Sequence, residues 1–196
     1  MTITFGESKL DLEYITINQY RKLLENPTMS DVDFVSLITT LPLEELRDFK
    51  VSELQFVSTF LKKWISQFQK TPLVYTVEYK GQMLGLLDAT EMTYGEFSDL
   101  HVLTSSEKVD YEKVCSILYR PVVSGKGEDR KIEKYDYDKC MERSKEMGDF
   151  PINNYISALF FLTKYNQILL EDSPLYLEKR KREELKNQTK EPKTNE

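Results

Sequence analysis

Few side chains in this sequence have the type and spacing that chemistry requires. His101 is the only histidine, so neither a histidine-rich metal site nor a pair of imidazoles can be assembled. Cys115 and Cys140 stand 25 positions apart, which is not a zinc-ligand spacing. Two thiols also suit a reducing compartment better than a disulfide framework. Gly125-Lys126-Gly127 makes a tight turn but lacks the Lys-Ser/Thr and helix that complete a phosphate loop. No Gly-x-Ser-x-Gly nucleophile elbow occurs. The acidic residues cluster as immediate neighbours, Glu44-Glu45, Glu128-Asp129 and Glu183-Glu184, and adjacent helical positions do not face one another. The expectation is a protein that is not an enzyme, with no catalytic residues, no metal ligands and no cofactor.

Composition narrows the class further. The chain has 196 residues, 40% of them hydrophobic and 31% charged, enough apolar material for one core or two small ones. Lys and Arg number 27 against 33 Asp and Glu, a net charge of −6. A duplex binder needs a positive footprint to release counterions from phosphates, so nucleic acid is not the expected partner. The longest apolar runs, residues 84–87 and 158–162, are far short of a membrane span. The first residues, Met1-Thr2-Ile3-Thr4-Phe5-Gly6-Glu7, have no signal-peptide character. A soluble, cytosolic protein without a membrane partner is expected.

The elements that must position these residues show an internal repeat. Each half opens with alternating apolar residues on both sides of a glycine turn, Gly6-Glu7 in the first and Lys80-Gly81 in the second, which predicts a β-hairpin. Thr16-Ile17-Asn18-Gln19-Tyr20 and Thr93-Tyr94-Gly95-Glu96-Phe97 then share the spacing of a helix capping box followed by an aromatic residue. Ser36-Leu37-Ile38 ahead of Pro42 matches Ser116-Ile117-Leu118 ahead of Pro121. Phe60-Leu61-Lys62-Lys63-Trp64 matches Phe161-Leu162-Thr163-Lys164-Tyr165. The fold class expected is α+β, helix-dominated, with two pseudo-repeated lobes, each a β-hairpin followed by about three helices. The lobes are 1–70 and 71–177, the second with an insertion near 124–149. Residues 178–196 form a charged tail with no apolar residue after Leu185, expected to be disordered. The two hairpins are expected to pair into one sheet, because an isolated hairpin is marginal in water. Tyr119-Arg120-Pro121 is expected to close a helix, with Arg120 either bridging the halves through a carboxylate or interacting with the helix dipole.

Apolar helical faces are the remaining candidates. In a helix capped by Ser52, Phe56, Phe60, Trp64 and Phe68 share one side; such a face is usually core, and the alternative is a seat for a partner helix. The run Tyr155, Ala158, Leu159, Phe160, Phe161, Leu162 and Tyr165 is apolar nearly all round, so its own fold or another chain must cover it. The candidate partner-binding residues are therefore Phe56, Phe60, Trp64, Tyr155, Phe160, Phe161 and Tyr165. The mixed run Lys179-Arg180-Lys181-Arg182-Glu183-Glu184 reads as a solvated helix end.

A family resemblance rests on these motifs. Ile17-Asn18-Gln19-Tyr20, Val35-Ser36-Leu37-Ile38, Leu41-Pro42-Leu43-Glu44-Glu45-Leu46 and Val51-Ser52-Glu53-Leu54 carry it in the first half. In the second half it is carried by residues 92–100, Ser116-Ile117-Leu118-Tyr119-Arg120-Pro121-Val122, and residues 156–162 with paired Phe160-Phe161. Together these stretches, within residues 12–170, resemble the tail assembly chaperones and related baseplate-hub assembly proteins of contractile-tailed bacteriophages. The resemblance implies a small α-rich protein without catalysis or cofactor, made in the host cytoplasm during infection. Its partner would be a phage tail protein, the tape measure or a hub component, and a homo-oligomer is compatible with that role. The alternative is a structural component of the virion, such as a baseplate hub, connector or internal protein. A third reading, a cytosolic enzyme, would need a cleft uniting Arg120, His101 and carboxylates from both lobes.

Overall fold

Thr16 and Gln19 start the first helix as their spacing predicts. In the computed structural model, Thr16 Oγ1 accepts from the Gln19 amide at 3.1 Å and Gln19 Oε1 accepts from the Thr16 amide at 2.8 Å. The structure describes residues 2–5 and 8–171, with the side chains of residues 12–68, 70–164 and 167. The tail at 178–196, with its basic run, lies outside the described residues.

The fold is α+β with helices dominant. Strands β1 (Thr2–Phe5) and β2 (Ser8–Asp11) form the first hairpin. Helix α1 (Ile17–Glu25) follows, then α2 (Asp31–Thr39), whose N-cap Ser30 accepts from the Asp33 amide. Asp31 and Asp33 in its first turn complement the helix dipole. After Pro42 comes the short α3 (Leu43–Leu46), then α4 (Val51–Ile65). The N-cap of α4 is Lys50 rather than Ser52, because Glu53 reaches back to the Lys50 amide at 3.2 Å and starts the helix earlier.

The second hairpin joins β3 (Thr76–Tyr79) to β4 (Gln82–Leu86). Lys80 and Gly81 both have positive φ, 49° and 75°, the conformation a two-residue hairpin turn demands. Helices α5 (Tyr94–Ser105) and α6 (Tyr111–Leu118) follow, and α6 runs without a loop into β5 (Tyr119–Ser124). Tyr119-Arg120-Pro121 is thus a strand and not a helix end. Pro121 donates no bond to the sheet, but its carbonyl accepts from the Glu133 amide at 2.8 Å.

The insertion supplies β6 (Lys131–Ile132) and α7 (Tyr137–Ser144), the latter capped by Asp136. The four-stranded antiparallel sheet has the order β3-β4-β5-β6, whereas β1 and β2 pair only with each other. The expected merging of the two hairpins does not occur: β5, extended by β6, pairs with β4 instead. The two halves differ accordingly: α2 leads into α3 in the first, and α6 leads into a strand in the second.

Residues Met1–Ala158 make one compact unit and those from Leu159 another, so α8 (Ile152–Glu171) starts in the first and ends in the second. Within the first unit the two sequence halves are stitched together. The Ile17 amide donates to the Phe150 carbonyl at 3.0 Å and the Ile152 amide to the Ile15 carbonyl at 2.9 Å. Ile15, Ile17, Phe150 and Ile152 are fully buried around this joint, contributing about 2 kcal/mol each.

Candidate functional site

Two features of the first unit could serve a ligand or partner: a polar cleft beside the sheet, and the outer side of α4. The cleft has a volume of about 820 Å³ and lies between the end of β4, the start of α5 and the inserted segment. Gly85 positions it. A Cβ there would sit 2.6 Å from Ile132 Cγ2 and 3.1 Å from Arg130 Cδ, so only glycine lets the insertion lie flat on the strand. Arg130 then fixes the insertion by donating from Nε and Nη2 to the Leu86 carbonyl, with its guanidinium 4.9 Å from the Tyr75 ring.

At the floor of the cleft, Arg120 Nη2 meets Glu96 Oε1 at 2.5 Å, with both side chains almost wholly buried. Arg120 does bind a carboxylate, but one from its own half. Other polar groups there are engaged as well. Tyr135 donates its hydroxyl to Asp99 at 2.5 Å, and burial with this bond pushes its ionisation far above the ordinary phenol range. Glu133 holds Lys139 at 2.9 Å and Arg143 at 2.8 Å, the Lys139 hydrogen bond chiefly keeping its carboxyl below the usual range. Asp88 accepts from the Thr90 hydroxyl and amide, which lowers its carboxyl too. These shifts stabilise the resting protonation states of the groups at neutral pH, which suits a structural joint between sheet and insertion.

His101 is not beside this cleft's floor. It lies within α5, exposed, with its ring stacked on Phe97 at 6.2 Å. The cleft that the enzyme reading would need, uniting Arg120, His101 and carboxylates from both lobes, is therefore not this one, whose lining residues all come from the second half. Cys115 and Cys140 are both buried free thiols, and burial raises their ionisation. Among the described residues no group of three or more His, Cys, Asp or Glu could hold a metal ion. No described helix is long and apolar enough to cross a membrane.

The outer side of α4 has the opposite character. Val57, Ser58 and Leu61 turn inward. The row Phe56, Phe60, Trp64 and Phe68 runs from 72% and 43% exposed through half-buried Trp64 to 4% at Phe68. Along α4 an i, i+4 row rotates about 40° per step toward the core, and Phe68 lies beyond Ile65, in the 3₁₀ turn Phe68–Lys70. Trp64 meets Phe68 edge-to-face at 5.0 Å. Beside them opens a groove of about 460 Å³ lined by Gln67, Thr71, Pro72 and Asn153. The expected core face is therefore core at one end and bare at the other.

The candidates on α8 separate. Tyr155 is 2% exposed and stacks edge-on against Tyr111 at 5.5 Å. It is a core residue of the first unit, with no surface left for a partner. Phe160 and Phe161 belong to the second unit and are 44% and 39% exposed, with Lys164 Nζ 4.6 Å from the Phe160 ring centre. The side chain of Tyr165 lies outside the described residues. Of the candidate partner residues, the structure brings together Phe56, Phe60 and Trp64 on one row. What the sequence reading missed is Glu96 as the partner of Arg120. The signal was present: Glu96 holds the capping-box position, where only one carboxylate oxygen is needed for the cap.

No protein-family model matches the chain, and no curated protein or solved structure is significantly similar to it.

Proposed function

We propose that the protein is a non-enzymatic assembly factor of a bacteriophage tail, a chaperone or adaptor that binds a tail protein such as the tape measure. The observation that carries this reading is the bare aromatic row on α4, with Phe56 72% and Phe60 43% exposed. Burying either ring against a partner would contribute about 1.5–3 kcal/mol. An amphipathic helix of the client lies along the row, with one side chain reaching the groove beside Trp64. The net charge of −6 keeps such a surface soluble before the client arrives. The family assignment itself comes from the sequence motifs alone.

The test compares infected-cell lysate with purified particles by quantitative mass spectrometry, and captures the client on tagged wild-type and Phe56→Ser/Phe60→Ser protein. Abundance in lysate, absence from particles and loss of one captured tail protein in the variant are expected. A fixed copy number in the particle points instead to a structural hub, connector or internal protein. Unchanged capture by the variant removes α4 as the site.

A further inference from the structure

Helix α5 is built inside out with respect to charge. In a chain that is 31% charged, the exposed residues of this helix are Tyr94, Gly95, Phe97, His101, Val102 and Ser105, with no Asp, Glu, Lys or Arg. Its two carboxylates face inward, Glu96 onto Arg120 and Asp99 onto the Tyr135 hydroxyl. Meanwhile Tyr94 is 85%, Val102 65% and Phe97 43% exposed. The cap and the Arg120 joint account for the inward Glu96, but they do not account for the rings left outside. Depletion of charge with enrichment in aromatic residues is the composition of an interface centre.

We propose that this face of α5 is a two-fold self-association surface, which pairs α5 with α5 of a second copy in antiparallel orientation. The choice of occupant follows from charge. In a two-fold interface each patch meets itself, so any net charge on it faces like charge. For a chain of net −6, an uncharged face is where two copies approach with least repulsion. The exposed rings and Val102 span residues 94–102, centred on Ser98. A two-fold axis there sets Tyr94 against the partner's His101 and Val102 over the partner's Gly95. Gly95 can accept a side chain at close range: the nearest atom to a Cβ built on it is Thr93 Oγ1 at 4.0 Å. Antiparallel helices also oppose their dipoles favourably. The surface is distinct from the α4 row, and a dimer would present two such rows to one long client.

Sedimentation velocity of the full chain from about 1 to 200 µM tests this, a range suited to an interface below standard size. The wild type is expected to pass from monomer to dimer across the range. Tyr94→Glu and His101→Lys, each at an exposed position, should each weaken association at least about 30-fold by burying an unpaired charge, with melting temperatures close to wild type. An equimolar mixture of the two variants should dimerise again, because the new Glu and Lys face each other only in the antiparallel pairing. A wild type that stays monomeric at the highest concentration overturns the proposal. So does association that survives both substitutions.

Discussion

The two capping boxes are the clearest place to compare the halves of the molecule. Both begin with threonine, and both use the residue three positions on to return a bond to the threonine amide, at 2.8 Å from Gln19 and 2.6 Å from Glu96. What differs is the second atom of that side chain. Gln19 Nε2 donates to the Leu37 and Ile38 carbonyls at 2.8 and 3.3 Å, which are among the orphan carbonyls at the end of α2. Glu96 Oε1 accepts from Arg120 at 2.5 Å, at the start of β4's neighbour β5. Each residue caps its own helix with one atom and fastens the next element with the other. The amide serves where the neighbour offers acceptors, and the carboxylate where it offers a guanidinium. The first joint is neutral, and the second is a buried ion pair.

That contrast fixes the largest expected effect. Arg120→Met leaves the Glu96 carboxylate buried without its cation and should destabilise the fold by about 3–5 kcal/mol, read from urea unfolding. Arg120→Met/Glu96→Leu removes both charges and should recover all but about 1–2 kcal/mol, the remainder reflecting the lost capping bond. A single variant as stable as wild type would show that the pair is open to water and not a buried joint. In the first half, Gln19→Ala should cost only about 1–3 kcal/mol, because the groups it strands are neutral.

Exchanging the chemistry of the two joints sharpens the comparison. Gln19→Glu keeps the oxygen that caps α1 but points an acceptor at the Leu37 and Ile38 carbonyls. A loss of about 2 kcal/mol is expected at pH 7. Crowding by carbonyls raises the folded-state pKa of the introduced carboxyl above its unfolded value of about 4.3. A raised pKa means stability fully present below the unfolded value and lost as pH rises through the folded one. The variant should therefore approach wild type below about pH 4 and fall behind it toward neutrality. A pH-independent deficit would mean that the side chain has swung out to solvent.

These joints also show what the sequence could and could not reveal. Both capping boxes and the Lys80-Gly81 hairpin were legible, since each depends on neighbours within a few residues. The Arg120–Glu96 pair spans 24 positions and depends on where a strand lies, which local spacing does not encode. Pro121 misled because proline after an apolar helix usually ends in a turn, whereas here α6 passes directly into β5. The α4 row reads as one face in the sequence, but local spacing does not show that α4 ends at Ile65 and that Phe68 falls in a separate turn. On α5 the equivalents of buried Ile17 and half-buried Tyr20 are Tyr94 and Phe97, both exposed. The same pattern thus has opposite fates in the two halves.

The smallest effect belongs to the first half's own charged tie. Asp31, at the start of α2, accepts from Ser58 Oγ at 2.5 Å and from Lys62 Nζ at 2.9 Å on α4. The Ser58 bond, then Lys62, lowers its carboxyl below the ordinary value of 3.8. A depressed folded-state pKa gives stability that is present above the unfolded value and lost as pH falls through the folded one. Asp31→Asn should therefore leave stability at pH 7 within about 0.5–1 kcal/mol of wild type, because the Lys62 and Asp31 side chains are 55% and 40% exposed and solvent screens the pair. The difference should shrink as pH falls below about 4, and shrink likewise in molar salt. The Arg120–Glu96 pair, buried on both sides, should be indifferent to the same salt. A wild-type minus Asp31→Asn difference that persisted unchanged at pH 2 would mean that the carboxylate's charge contributes nothing, and that the tie between α2 and α4 rests on the Ser58 hydrogen bond alone.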